Sequence, residues 1–576
     1  MNEETRLTQA YPATPAALAA WTWPEIAPHY QRLGGASLTA ETLPAWLADW
    51  SALAEHVDEL SNRLVITTDA NTADEGAEAR YQAFLKEIFP RWKDAENTLK
   101  CKLLASGLSL PGMEIPLRDM RADAGLFRAE NLPLLSEEQA LASGYNKITG
   151  AQKVTWRGEE LTVSQLEPFL SDPDRSVREA AWRLGSERWL ADRAAINQLW
   201  QKLLDLRLRL ARNAGMPDFR AFRWAQLKRF DYTPQDARSF HAAIEQVVVP
   251  AAARIYERRR RRLGVSSLRP WDLSADPAGL PPLRPFRRIS TLKKRVEAIL
   301  GRVDPVFGRR FERMDAAGLL DLENRPNKAP GGFCESLASL RLPFVFMNAV
   351  GVHDNVQTLL HESGHAMHVF ESAPLLYFHQ MAVPAEFAEV ASMSMELLGG
   401  PYLGRAQGGF YSKADAARAR TEHLEGIILF WPYMAVVDAF QHWAYENPAQ
   451  AADPAACDAA WSGLWRRFMP GVDWSGLEDA LATGWHRKLH IHQAPFYYID
   501  YGLAQLGAIQ VWASSLRDAP SAVAAYRSAL ALGGTAPLPD LYRAAGAALA
   551  FDPDTLAEAV QRIENTLDSL DQLPRR

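Results

Sequence analysis

Cysteine is scarce. The three residues Cys101, Cys334 and Cys457 stand far apart in a chain of 576, which excludes a disulfide framework and a cysteine-rich metal site. No apolar run reaches the ~20 residues of an uninterrupted membrane span, so no membrane partner is expected. Charge of one sign is lacking too: the formal net charge is −6, and nothing in that balance favours nucleic acid. The one dense basic run, Arg258 to Arg262, reads as a helix C-terminus, where cations complement the macrodipole. The start, Met1 to Arg6, is polar and acidic, unlike a secretory leader. These absences lead to the expectation of a cytoplasmic location. Internal repeats and low-complexity tracts are missing, so a solenoid or an array is excluded. The apolar share of 48% is enough for an ordinary globular core.

What is present is helical periodicity. Apolar residues recur at three and four over 16–33, 43–63, 76–107, 162–185, 187–213, 234–263, 290–303 and 412–446, so the fold class is mainly α. Thr42, Thr162 and Thr233 stand where N-caps belong, two of them before proline or Leu-Pro. Strand signals gather at Leu340 to Val350, around Phe344, Val345, Phe346 and Met347. Residues 264–289 and 321–332 read as loops, rich in proline, glycine and serine. An N-terminal helical lobe is expected over 1–205 and a catalytic region over 206–576.

The most informative cluster is His361-Glu362-Ser363-Gly364-His365. Leu360, Gly364, Met367 and Phe370 recur at helical spacing around it, so it lies on a buried helix. Two imidazoles four apart share one face, about a turn from each other. They supply half of a tetrahedral zinc shell, and the intervening Glu362 reaches a water there as a general base. Gly364 costs about 1 kcal/mol of helix propensity relative to alanine, a cost that makes sense if something packs closely against it. His368 partly shares the His365 face and fits either an orienting role or a core position.

A catalytic zinc needs a third protein ligand. The chain has His368 and Glu371 where the metzincin extension would need glycine and histidine, so that class is excluded. Pro374 and Pro384 break the chain after the motif. Ala385 to Leu398 then reads as a helix stopped by Gly399-Gly400-Pro401. It carries Glu386, Glu389 and Glu396 among apolar residues, and a buried carboxylate requires a partner. Spacing alone does not choose between the three.

Leu360 to His368, followed by Pro384-Ala385-Glu386-Phe387-Ala388-Glu389-Val390-Ala391-Ser392, resembles the oligoendopeptidase F branch of the thimet oligopeptidase family of zinc metallopeptidases. The resemblance implies Glu389 as the third ligand beside His361 and His365, holding one Zn²⁺ per chain, with Glu396 in support. Co²⁺ or Mn²⁺ suits similar ligands. A second block, His490 through Tyr497-Tyr498-Ile499-Asp500-Tyr501-Gly502, is similar to the family's C-terminal segment. It implies that His490, Tyr498 and Tyr501 face the scissile bond and stabilise the oxyanion, as donors aimed at developing charge do. No role is assigned to His492. Fainter similarity covers Arg229 to Pro234, Leu268 to Leu273, Gly331 to Cys334 and Phe344 to Asn348.

The fold implied is an elongated, two-lobed helical zincin, with a small β-sheet next to the metal helix and a deep central substrate channel. The function implied is a zinc-dependent endopeptidase of peptide catabolism. It hydrolyses short unfolded oligopeptides by metal-activated water, with Glu362 as general base. In zincins the strand before the metal helix offers its edge to extended peptide, which makes Phe344, Val345 and Phe346 the expected substrate contacts. Two rivals stand beside this reading. One is a zinc carboxypeptidase or dipeptidase, which would need a cation for the substrate C-terminus. The other is a non-catalytic peptide binder with structural zinc. Oligomeric state is left open.

Overall fold

The computed structural model describes residues 11–572 apart from Pro326 and Pro330; the polar start Met1 to Arg6 lies outside the described residues. Helices dominate, as the periodicity predicts. Two main hydrophobic cores organise them. The smaller gathers residues from Leu18 to Met120 and takes in Tyr377 from far along the chain. The larger begins at Leu126 and runs to Leu570. Along the chain the two cores succeed one another near residue 125. Residue 205 lies inside the helix Arg193–Asn213, whose Trp200, Leu204, Leu206 and Leu210 all join the larger core. A boundary there would split one packed face.

Two expected long helices each carry one π-helical turn, Phe84–Ile88 and Ile244–Val248. Pro90 and Pro250 follow two residues after those turns. Proline lacks an N–H and crowds the carbonyl four residues back, and a wider turn accommodates both. At Thr233 the expected N-cap forms, and Asp236 completes it as a capping box. Thr42 caps nothing, because its hydroxyl donates to the Ser37 carbonyl. The helix expected over 162–185 is also corrected. A hairpin of β1 Lys153–Trp156 and β2 Glu159–Thr162 ends there, and the helix Arg175–Ala191 starts only after Asp174 caps Ser176. Leu166 joins Val154 and Ala181 in a satellite cluster, with Phe169 and Leu170 of a one-turn helix, Glu167–Leu170, packed against it, so the apolar recurrence before Arg175 marks packing and not one continuous helix.

Residues 412–446 form the helix Lys413–Glu446. By length and composition it is apolar enough to cross a membrane, but 67% of that apolar window is buried inside the protein. Trp431, Met434, Val436 and Phe440 place it in the larger core.

The sheet beside the motif helix has three strands, β3 Leu320–Glu323, β4 Phe333–Leu337 and β5 Leu342–Ala349. β3 occupies the start of a segment expected as loop. The order is β3-β5-β4, with β5 parallel to β3 and antiparallel to β4. The predicted strand is thus the central one. Val345 pairs with Leu320 on one side and Cys334 on the other, and Phe346 with Asp321 and Phe333. Phe344 faces Glu335. These three residues have no free edge for a peptide, which overturns that expectation. The outer edge next to the motif belongs to β4: a Cβ placed on Gly332, just before this strand, would stand 3.5 Å from Glu362 Oε1.

Candidate metal centre and active site

The motif lies on the helix His353–Ser372 and the glutamates on Ala385–Gly399. Asn355 Oδ1 fixes the start of the motif helix by accepting from the Val350, Gly351 and Val352 amides. Gly364 explains how the two helices meet. A Cβ there would lie 2.5 Å from both the Ala391 carbonyl oxygen and Ser392 Cα, so only glycine allows this approach. Alanine would gain about 1 kcal/mol in propensity on a free helix. Here Gly364→Ala is expected to destabilise by about 1–3 kcal/mol or more, as overpacking does, with a lower Tm in thermal unfolding. A variant as stable as the parent would contradict the contact.

That approach brings His361, His365 and Glu389 together, their ligand atoms all within 4.8 Å of one another. Glu389 Oε2 is 3.2 Å from His361 Nε2 and 3.5 Å from His365 Nε2. Both imidazoles keep some solvent access at 20% side-chain exposure, while Glu389 is buried at 3%. The donor set suits a zinc site with an open position, being two imidazole nitrogens and one carboxylate. The surroundings fit the metal as well. His361 Nδ1 lies 2.7 Å from Glu396 Oε1, so Nε2 is the nitrogen turned to the centre. Glu396 Oε2 in turn lies 2.8 Å from His423 Nε2. Such carboxylate–histidine pairs orient metal ligands. Ser392 Oγ donates to Glu389 Oε2 and the Tyr497 hydroxyl to Glu389 Oε1.

Electrostatics agree. Burial would raise the Glu389 pKa, but His365 and His361 outweigh it and hold the carboxyl well below its ordinary range. The same contest brings Glu396 down to about 2 through His361 and His423. Burial would lower His361, yet Glu389 and Glu396 raise it well above its usual value. Glu362 differs: burial raises its pKa, and its Oε2 is buried without a hydrogen-bond partner. A buried unpaired carboxylate oxygen beside three ligand atoms is the expected position of a group that handles water.

The other glutamate is accounted for. Glu386 accepts from Arg229 Nε at 3.1 Å and from the Tyr232 hydroxyl at 2.6 Å, so it is a structural ion partner and not a ligand. Arg229 also binds Asp500 and donates to the Phe496 carbonyl. Phe496 adopts a left-handed φ of 64°, and its N–H is held by Gln441 Oε1. This network ties the chain before the helix Tyr498–Ser515 to the metal helix. The segment implied by resemblance therefore does reach the centre, with one addition. Tyr501 lies 3.5 Å from His490 Nε2 through its hydroxyl and feels both Glu389 and Glu362. Tyr497, four residues earlier, contacts Glu389 directly. Tyr498 packs against Phe430 and Tyr433 on the one hand and against His490 and Tyr501 on the other, and its charge neighbours are Tyr433 and Tyr501. Tyr497 and Tyr501 are the tyrosines that meet or feel the carboxylates, and Tyr498 stands one ring away, against His490 and Tyr501.

Sequence reading missed Tyr497, His423, Ser392 and Arg229. The spacing of 497 and 501 is itself a helical one, so a signal existed; His423, 27 residues beyond Glu396, carried none. His368 is buried against Phe387, and burial lowers its pKa to about 3, which makes it a core residue. His492 stacks on Tyr145 and Trp485.

A largely helical body with H-E-x-x-H imidazoles and a glutamate from a second helix around one point defines a metallopeptidase. The chain belongs to Peptidase family M3, whose profile matches residues 169–561. Among solved structures it is similar to PZ peptidase A with inhibitor 2, at 28% identity and TM-score 0.88 over 97% of this chain and 98% of that one. It is also similar to a putative oligoendopeptidase F at 27% identity and TM-score 0.87, over 99% of each chain. A putative oligoendopeptidase F from Bacillus anthracis str. Ames shares the fold at TM-score 0.83 and 23% identity, over 98% of each. No curated protein matches the chain.

Proposed function

We propose that this metallopeptidase is a zinc-dependent endopeptidase acting on short oligopeptides, with Glu362 as general base. The observation that carries the reading is the convergence of His361, His365 and Glu389 within 4.8 Å beside the unpartnered Glu362 Oε2. Zinc held by these three residues would lower the pKa of a water towards about 7 and polarise the substrate carbonyl. Glu362 takes the proton of the attacking water and delivers it to the leaving amine. Its raised pKa suits both halves of that task. Tyr501 and His490 donate to the oxyanion as the carbonyl becomes tetrahedral, while Tyr497 and Ser392 keep the Glu389 carboxylate aligned. Extended peptide adds to the outer edge of β4, which ends beside Glu362, and main-chain pairing there tolerates many side chains.

We place the protein in the cytoplasm, with three free cysteines in support, and with peptides rather than nucleic acid or membrane as partners. The N-terminal lobe serves to enclose the peptide and exclude folded proteins.

Products of a mixed peptide library, read by mass spectrometry with and without chelator, test this. Internal cleavages that stop with chelator and return with Zn²⁺ are expected. Release of single C-terminal residues alone would favour a carboxypeptidase, and cleavage indifferent to chelator would end the metal reading. The tyrosine assignment has its own test. Tyr501→Phe should lower kcat by about 10²-fold, as loss of one oxyanion donor does, whereas Tyr498→Phe should stay within a few-fold. Equal losses in steady-state assays would give Tyr498 the same role.

A further inference from the structure

Lys488 is a cation without a counter-ion. It lies two residues before His490, and its Nζ stands 4.2 Å from the centre of the Tyr498 ring and 5.5 Å from that of Tyr433. Among the described residues no carboxylate comes within ion-pair distance of it and no hydrogen bond holds it. Several buried cations of this chain are matched: Arg207 meets Glu138, Arg229 meets Glu386 and Asp500, and Lys328 meets Asp321. The adjacent Arg487 supplies no anion either, and its Nη2 donates to the Ala480 carbonyl. Lys488 is half-buried, and desolvation draws its pKa down to about 8, so the ammonium has given up part of its water for the aromatic faces.

Position gives this charge a use. The ring under the ammonium, Tyr498, also packs against His490, and His490 against Tyr501, so the charge stands next to the residues that border the metal ligands. The His490 ring is 5.0 Å from the Tyr498 ring, and Lys488 lies on that same ring. The ammonium is thus within about three extended residues of the His490 imidazole, at ~3.3 Å per residue.

We propose that Lys488 is a specificity residue of this site: its ammonium takes a carboxylate of the bound peptide, foremost the free α-carboxylate at the peptide's C-terminus. This rests on the peptidase reading above. A carboxylate arriving there gains a charge-assisted hydrogen bond from a donor already partly desolvated and held by two aromatic rings. Peptides that end a few residues beyond the cleaved bond are then favoured over long chains by charge, in addition to any limit set by channel width. An aspartate or glutamate side chain at the same distance offers the same chemistry.

The test is calorimetric binding to the zinc-loaded full chain carrying Glu362→Gln, so that peptide is not consumed. Four matched peptides are used: the free acid, the C-terminal amide, and two amides with Asp or Asn at the last position. The free acid should bind on the order of tenfold tighter than the amide, as a hydrogen bond to a charged group would give. Adding Lys488→Met should bring acid and amide together, and Lys488→Arg should keep most of the difference. A gain of the Asp peptide over the Asn peptide, without a gain of acid over amide, supports a carboxylate site filled by side chains. Equal binding of all four peptides with Lys488 in place overturns the proposal, whether or not the methionine variant folds. So does an acid preference that survives Lys488→Met. Cleavage of the amide peptide by the wild-type enzyme reports separately on the peptidase reading.

Discussion

Glu362→Gln is expected to keep its metal and lose about 10²–10⁴-fold in kcat, the range general acid–base catalysis supplies. The two side chains have nearly the same shape, so packing around Gly332 and Thr358, which meet at this point, is preserved. What changes is the ability to accept and return a proton. Glu362 is not among the three groups whose ligand atoms converge, so metal content measured by elemental analysis should match the wild type. Stability should not fall. The wild type carries a buried carboxylate with one oxygen unpaired, and removing that charge relieves a desolvation cost. The signature is therefore threefold: full metal, a Tm equal to or above the parent, and nearly no turnover. Wild-type turnover would remove Glu362 from the mechanism. A variant that lost its metal as well would make Glu362 a ligand instead of a base.

The parts of this centre differ in how far they can be read from sequence, for physical reasons. The motif histidines are local: a four-residue spacing on a helix fixes their shared face before any tertiary contact is known. Gly364 was legible as a puzzle, a residue poor for helix in the middle of one, and the backbone of Ala391 and Ser392 resolves it. Glu389 was less legible. Glu386, Glu389 and Glu396 share one helix, and only the resemblance separated them, because the deciding contacts come from elsewhere: Arg229 and Tyr232 take Glu386, and His423 takes Glu396. The strand was found, but its place in the sheet was not. Whether β5 is an edge or a centre depends on β3 and β4, two short strands with weak patterns of their own. The part of Tyr497 was hidden for a similar cause. Tyr498 opens the helix and Tyr497 precedes it, so the direction of each ring depends on the strained turn at Phe496, which sequence spacing does not report. The passage from one core to the next was not legible either, because helix packing, unlike a flexible linker, leaves no compositional mark.

Glu389→Ala should cost more metal affinity than any other single change at this centre. Loss of an outer partner such as Glu396 is worth about 10–100-fold in affinity. Glu396→Gln belongs in that range, and removal of a ligand itself should exceed it. The apo protein adds a pH dependence that separates the two roles. Without metal, the pair of carboxylates raises His361 well above its ordinary value of 6.5, while Glu389 falls well below its ordinary 4.5. A raised imidazole contributes stability that is complete below its unfolded value and is lost as pH rises through the folded one. A depressed carboxylate contributes above its unfolded value and loses it in acid. The proton cluster of the apo centre is therefore at full strength only between those two ordinary values. Metal must displace the His361 proton to bind, so proton release on uptake and a weakening of affinity in acid are expected. Thermal unfolding of apo and zinc-loaded protein across pH 5 to 9 should show a Tm gap that widens as pH rises. Glu389→Ala should shrink that gap towards zero at every pH, because one imidazole pair cannot hold the ion firmly and the raised His361 has lost one of its two anions. A gap in the alanine variant equal to that of the wild type would mean that the metal is held elsewhere.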